Sequence, residues 1–336
     1  MITLIWCLVA LFILIVCMMI FVPCITKTAS IKGKRWTFDF SPINISFVIS
    51  RIIWSVIGFL ALVYCITLIY PLLWMLYTSI KDPIAYTINS FDLPTLNSLN
   101  FESYTKVFDL LVIRESGKTY GIGEMLFNSL YNATVGPLVG IFWITVVAYV
   151  MARFKFIGNS FIYNLGILIM MIPIVGSTAA QMIFKQKIGL YDQLYLSCLV
   201  PPATPFSGMQ FMVIYGALKA IPHDYSDAAR IDGANEYSIM FRIIIPMVIP
   251  TCATFFILNF ISAWNAYDSF LVWFPSTPNL AFGMWKFQSG TGATALGATD
   301  PDILAGFVVC MIPTMILYLS AQKLISSKFT VGGLKG

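Results

Sequence analysis

Charge is scarce in this chain of 336 residues: 10% are Asp, Glu, Lys or Arg, there is a single histidine, and 59% are hydrophobic. So little polar surface cannot cover a soluble globule of this length, and a mean hydropathy of +0.84 points to a membrane protein. His223 stands without a cluster of His, Glu or Asp, which leaves no general base and no metal site; no catalytic residue and no metal ligand is assigned. The seven cysteines (Cys7, Cys17, Cys24, Cys65, Cys198, Cys252, Cys310) lie in or beside apolar runs without Cys-x-x-Cys spacing. That excludes a zinc site and a disulfide framework, and they read as small packing residues. Internal repeats and low-complexity tracts are absent too.

What is present is long, charge-free apolar sequence. A bilayer core of about 30 Å needs roughly 20 apolar residues of helix. Seven runs qualify, near Ile2–Val22, Ile52–Ser79, Met125–Ala152, Phe161–Phe184, Leu194–Leu218, Ile243–Ala266 and Ile303–Gln322. All seven are expected as helices, because a helix satisfies its own backbone in lipid and no run alternates as a membrane barrel strand would. The expectation is an all-α, polytopic membrane protein with seven spans.

Basic residues set the orientation, since cytoplasmic loops carry their excess. With alternating spans, segments 23–51, 153–160, 219–242 and the tail hold 13 of the 20 Lys and Arg residues and five of the 15 acids. That side is expected to be cytoplasmic, with the N-terminus outside and the C-terminus inside. The first run has no basic residue before it and ends in Phe21-Val22-Pro23, so it is not expected to be a secretory signal.

Between two apolar runs lies a polar island, Ile221 to Pro250, whose Asp227-Ala228-Ala229, Gly233, Pro246 and Pro250 resemble the signature cytoplasmic loop of bacterial ATP-binding-cassette importer permeases. Other landmarks agree. Ala148-Tyr149-Val150-Met151-Ala152-Arg153-Phe154-Lys155-Phe156-Ile157-Gly158 resembles the family's exit to the cytoplasm, and Trp264-Asn265 falls where the family carries Trp-Asn. Asn128-Ser129-Leu130 resembles a span opening. The segment Asn100 to Phe108 matches in part, with Ser103 where Asn is common. The tail through Gly332 and Gly333 is similar to that of the maltose-type G subunit of sugar permeases.

The resemblance covers about Ile52 to Gly336, a permease domain of residues 52–336 with a coupling loop at 219–242. Residues 1–51 are left as an extra N-terminal helix and basic linker, a departure from the usual six spans. The resemblance implies a permease half in a bacterial cell membrane, pairing with a second permease subunit as a heterodimer. Two separate ATPase subunits would carry ATP and Mg, this chain binding no cofactor, and an external solute-binding protein would deliver the cargo, a carbohydrate by family likeness. Its other partner is membrane lipid, and nucleic acid is not expected. The coupling residues it implies are Tyr225, Asp227, Ala228, Ala229, Asp232, Gly233 and Ala234, with Gly332 and Gly333 of the tail also against the ATPase. Asp227 replaces the family's usual Glu, one methylene shorter.

Local physics gives the island a shape. Pro222 suits a first helical turn, and Asp224 and Asp227 suit the positive end of a helix. Gly233 supplies a left-handed stop, and Asn235 is the expected N-cap of a second helix running through Phe241. The result is a helix-turn-helix elbow.

Polar residues inside spans mark either a pathway or helix packing. Asn259 and Ser262, with Asn265 close by, share a helix face, and Gln181 and Gln210 join them as candidates. Two readings fit these residues: contacts to sugar hydroxyls, or hydrogen bonds between helices. Gly136 and Gly140 form a Gly-x-x-x-Gly expected to mark close helix packing. Ser116-Gly117-Lys118-Thr119 resembles the end of a phosphate-binding loop, yet the first glycine of that motif would fall at Val112. The alternatives are a permease for another solute and an ion-coupled secondary transporter, which would normally carry buried carboxylates or broken, repeated helices.

Overall fold

The computed structural model describes residues 45–94, 98–115, 117–172, 176–289 and 297–328. The expected first span, Ile2–Val22, and the tail with Gly332 and Gly333 lie outside them. Two compact units divide the chain, Met1–Tyr77 and Thr78–Gly336.

The first unit contributes most of helix α1, Ile45–Ser79. It is apolar all round: Trp54, Leu60 and Tyr64 are each at least 60% exposed. Such a helix buries its surface in lipid or against another apolar protein face.

The second unit begins with short elements: α2 (Pro83–Ile88), capped by Asp82, and α3 (Glu102–Leu110). A hairpin follows, β1 (Ile113–Glu115) paired antiparallel with β2 (Lys118–Tyr120), with Arg114 opposite Thr119. Lys118 and Thr119 therefore stand in a strand, with Gly117 at φ +78° in the turn before them. A phosphate-binding loop would instead lead into a helix at this point.

Long helices α4 (Ile122–Arg153) and α10 (Glu236–Asn265) form the centre, and α13 (Asp300–Lys328) packs on α10. Between α4 and α10 come α5 (Asn159–Met171), α6 (Ser177–Lys187), α7 (Leu194–Leu199), α8 (Gly208–Ala220) and α9 (Asp224–Ile231). Helices α11 (Tyr267–Trp273) and α12 (Leu280–Gln288) precede α13. One core gathers Phe211, Ile214, Leu218, Ile239 and Ile244 around Ala148 and Tyr149 at the elbow end. A second, at the hairpin end, gathers Val107, Leu111, Met125, Phe260, Trp264 and Met284. The methionines fill space that only glycine leaves: a Cβ on Gly283 would lie 2.6 Å from Met125 Sδ, and one on Gly306 2.8 Å from Met284 Cε.

Two expected spans are not single helices. Phe161–Phe184 is divided between α5 and α6, with Ile172 extended after α5 and Gly176 at φ +80° before α6. Leu194–Leu218 is divided between α7 and α8. Pro201 forces Val200 into an extended conformation (ψ 132°), and Pro202 and Pro205 lie in the connection before α8 begins. That connection is clamped to α5, where a Cβ on Gly166 would meet the Phe206 carbonyl oxygen at 2.3 Å. Among the described residues, four helices are long and apolar enough to cross a membrane: Ile53–Ser79, Ile122–Arg153, Glu236–Asn265 and Asp300–Ser320. The described residues thus carry fewer full-length spans than the seven expected, since proline and glycine cut runs that hydropathy leaves whole.

Candidate functional site

The elbow is built as its local sequence dictates. Helix α9 opens after His223, with Asp224 and Asp227 in its first turn, while Pro222 falls before the helix, not inside its first turn. It ends in a Schellman motif: Ala234 N–H donates to Ala229 O at 2.9 Å, and Gly233 N–H to Arg230 O at 3.0 Å. Gly233 takes φ +81°, a conformation costing a side-chain-bearing residue roughly 1–2 kcal/mol. The Asn235 side chain then accepts from Ser238 N–H at 2.8 Å, capping α10.

Arg230 ties the two arms together. Its Nη1 donates to Asp227 Oδ1 and its Nε to Glu236 Oε1, each at 2.8 Å. The Glu236 carboxylate, with Asp227 assisting, raises the Arg230 pKa above its ordinary value, so Arg230 stays a cation at any physiological pH. Asp227 is thereby engaged within its own chain.

The two alanines of the turn divide. Ala228 is exposed; Ala229 is buried in the core with Ile239 and Leu218. The outer surface presents Tyr225, Ile231 and Tyr237, which are 50%, 87% and 75% exposed. Isolated apolar residues on a surface are ordinary, but Tyr225, Ala228 and Ile231 recur every third residue along α9, and Tyr237 adds a fourth exposed side chain on the second arm. Beneath the elbow, Arg153 is half-buried with its Nη1 3.5 Å from His223 Nδ1, so it meets the elbow, whereas Lys155 is exposed.

Away from the elbow, a cavity of about 490 Å³ opens between α4, α8, α10 and α11. Gln210 and Asn259 face it as a doubly bonded amide pair: Gln210 Nε2 donates to Asn259 Oδ1 at 2.6 Å, and Asn259 Nδ2 to Gln210 Oε1 at 3.2 Å. Ser262, Asn132, Ser269 and Trp273 also line it. The sequence placed Gln210, Asn259 and Ser262 together; Gln181 and Asn265 stand elsewhere. Gln181 is exposed on α6 and bonds Ser177 Oγ at 3.0 Å, and Asn265 turns back to Ile261 O at 2.9 Å. Asn132 and Ser269 were missed, though Asn132 interrupts an apolar run as plainly as Asn259 does. Gly136 and Gly140 line this cavity, and a Cβ on Gly140 would meet nothing within 4 Å. A Cβ on Gly136 would lie 3.9 Å from Cys198 Sγ of α7, an ordinary contact, so among the described residues neither glycine sits at a crossing that demands glycine.

Residues 144–331 match the family described as "binding-protein-dependent transport system inner membrane component". The chain belongs to that family, and is a membrane-spanning permease subunit of a bacterial transport system, not an enzyme. Curated relatives include the arabinooligosaccharides transport system permease protein AraQ of Halalkalibacterium halodurans, 28% identical over 277 residues, 80% of this chain and 91% of AraQ. The diacetylchitobiose uptake system permease protein NgcG of Streptomyces coelicolor is 26% identical over 279 residues, 81% of this chain and 86% of NgcG. The trehalose transport system permease protein SugB of Mycobacterium tuberculosis is 25% identical over 284 residues, covering 84% and 97%. Among solved structures, a chain of a bacterial ABC transporter involved in the import of the acidic polysaccharide alginate shares the fold. Its TM-score is 0.67 at 21% identity, covering 86% of this chain and all of that one.

Proposed function

We propose that this chain is one half of the translocation pore of an ATP-driven importer for a carbohydrate, an oligosaccharide in particular, and that residues 219–242 couple it to ATP hydrolysis. The observation that carries the proposal is the elbow. Gly233, Asn235 and the Arg230 clamp join two short arms into one piece, and its exposed patch of Tyr225, Ala228, Ile231 and Tyr237 faces away from the core. A rigid piece with an apolar face can receive a push from a partner and pass it into α10. The partner is a separate ATPase subunit, two copies of which carry ATP and Mg. Asp227, Asp232 and Ala234 shape the piece, and Gly332 and Gly333 of the tail add to the same contact.

In this reading residues 52–336 are the permease domain, paired with a second permease, and a solute-binding protein delivers cargo from outside. The elbow and the C-terminus lie in the cytoplasm and the N-terminus outside, in keeping with the excess of Lys and Arg in those loops. The sugar class is supported by the names of the relatives, which transport arabinooligosaccharides, diacetylchitobiose and trehalose. The cavity lined by Gln210, Asn259, Ser262 and Asn132 is the proposed passage, its amides and hydroxyls matching sugar hydroxyls.

The test is a tagged full-length chain purified from native membranes in mild detergent and reconstituted in vesicles. Co-purification of a second permease and an ATPase, with cysteine at Ile231 cross-linking to that ATPase, is the expected result, together with ATP-dependent uptake of an oligosaccharide insensitive to proton and sodium ionophores. Uptake abolished by ionophores, with no cross-link from position 231, rejects the proposal.

A further inference from the structure

Where α4 gives way to α5, beside the last turn of α8, a second cavity of about 520 Å³ has no part in the coupling patch or in the passage. Its lining is basic and polar without a single acid: Lys155 and Lys219, the aromatic pair Tyr163 and Tyr215, and Ser160 and Asn164. Neither lysine has an ion-pair partner among the described residues. Lys219 Nζ lies 5.7 Å from the centre of the Tyr215 ring, and the rings of Tyr163 and Tyr215 are 5.1 Å apart, so one wall is rigid and aromatic. The floor is fixed as well, because Asn159 Nδ2 donates to Met151 O at 2.9 Å and Phe154 O at 3.0 Å, pinning the end of α4 to the start of α5. Two unpaired cations with hydroxyl and amide groups around an open volume form a receptor for an anion with several acceptor oxygens.

The surroundings say which anion. Ile157 and Phe161, at the mouth of α5, are 106% and 70% exposed, and Leu168 two turns along is 52% exposed. An apolar track thus leads from the basic cavity along the α5 surface, the pattern of an acyl chain below a headgroup. We propose that the cavity binds the phosphate of an anionic phospholipid, with Lys155 and Lys219 holding the headgroup and the α5 face receiving the chains. The cytoplasmic leaflet as its source rests on the orientation proposed above; binding itself does not.

The test uses the full-length chain with its co-purifying subunits in detergent, titrated with phosphatidylglycerol and followed by native mass spectrometry. The wild type is expected to retain one phosphatidylglycerol more tightly than the rest, and Lys155→Gln/Lys219→Gln to hold it about ten- to thirtyfold more weakly, as loss of two phosphate-facing cations implies. Arg242→Gln removes an exposed charge outside the cavity and should leave retention unchanged. Phosphatidylcholine should not displace the retained lipid. Equal retention by wild type and double variant overturns the proposal. Displacement by millimolar inorganic phosphate overturns the lipid assignment in favour of a soluble phosphate ligand. Because the readout is bound lipid and needs no ATPase or substrate, retention that survives a failed uptake assay separates this inference from the proposed transport function.

Discussion

Gln210 and Asn259 satisfy each other: two side-chain amides from α8 and α10 exchange two hydrogen bonds at 2.6 and 3.2 Å on the wall of the cavity between α4, α8, α10 and α11. A reciprocal pair of this kind both links the helices and leaves one lone pair on each oxygen and one N–H on each nitrogen for a passing solute. Helix packing and passage lining, alternatives at the level of sequence, are compatible in one pair.

Replacing one member should therefore cost more than replacing both. Asn259→Leu alone strands the Gln210 amide and should lower stability by about 1 kcal/mol, the scale of interhelical hydrogen bonds in membranes. Gln210→Leu/Asn259→Leu should recover part of that loss. Thermal unfolding of the purified complex checks this, and uptake should fall in both variants, including the one whose stability returns.

The two alanines of the elbow should behave oppositely. Ala229→Leu forces three extra carbons into the packed core beside Ile239 and should destabilise the chain by roughly 1–3 kcal/mol. Ala228→Leu, on the exposed side, should leave unfolding unchanged and weaken association with the ATPase. Equal Tm shifts for the two would contradict the burial seen here.

Gly233→Val should fold, with strain of roughly 1–2 kcal/mol, and lose ATP-driven uptake because the turn no longer closes. Gly233→Asn, which tolerates the left-handed region better, should retain more transport. Wild-type uptake by the valine variant would remove the elbow from the mechanism.

Arg230→Met should leave assembly intact while cutting uptake at least tenfold, as the arms of the elbow lose their shared clamp. The exposed geometry of the pairs makes stability the wrong readout. ATPase activity that continues without transport is the expected signature, and Glu236→Gln should reproduce it in part.

Gly166→Ala places a methyl group 2.3 Å from the Phe206 carbonyl oxygen, so α5 must separate from the Pro205–Ser207 connection. The expected result is a lower unfolding temperature, whereas Gly140→Ala, with open space around it, should leave it unchanged.

Much of the elbow was legible from sequence because its rules are local. A glycine that stops a helix, an asparagine that caps the next and acids in a first turn each act within four residues. The Arg230–Glu236 contact was not legible, since it exists only once the turn has folded the chain back on itself. Hydropathy located the helices and misjudged their continuity: it scores the Pro201-Pro202 stretch by apolarity and has no term for the lost N–H groups. Gln181 does not join Gln210 and Asn259 for a third reason. Its run reads as a span interior, while the break before Gly176 sets α6 apart as an eleven-residue helix on which Gln181 is exposed.

Helix α10 runs without a break from Glu236 to Asn265, through a π turn at Ile239–Ile244 that is closed by an Ile245 N–H to Met240 O bond. The fully buried Ile239 and Ile244 grip it there. Val248, Phe255 and Ile257, buried further along, hold the same helix again. The elbow and the Gln210–Asn259 pair are thus two ends of one packed rod, roughly 35 Å apart at about 1.5 Å of rise per residue, with no loop between them.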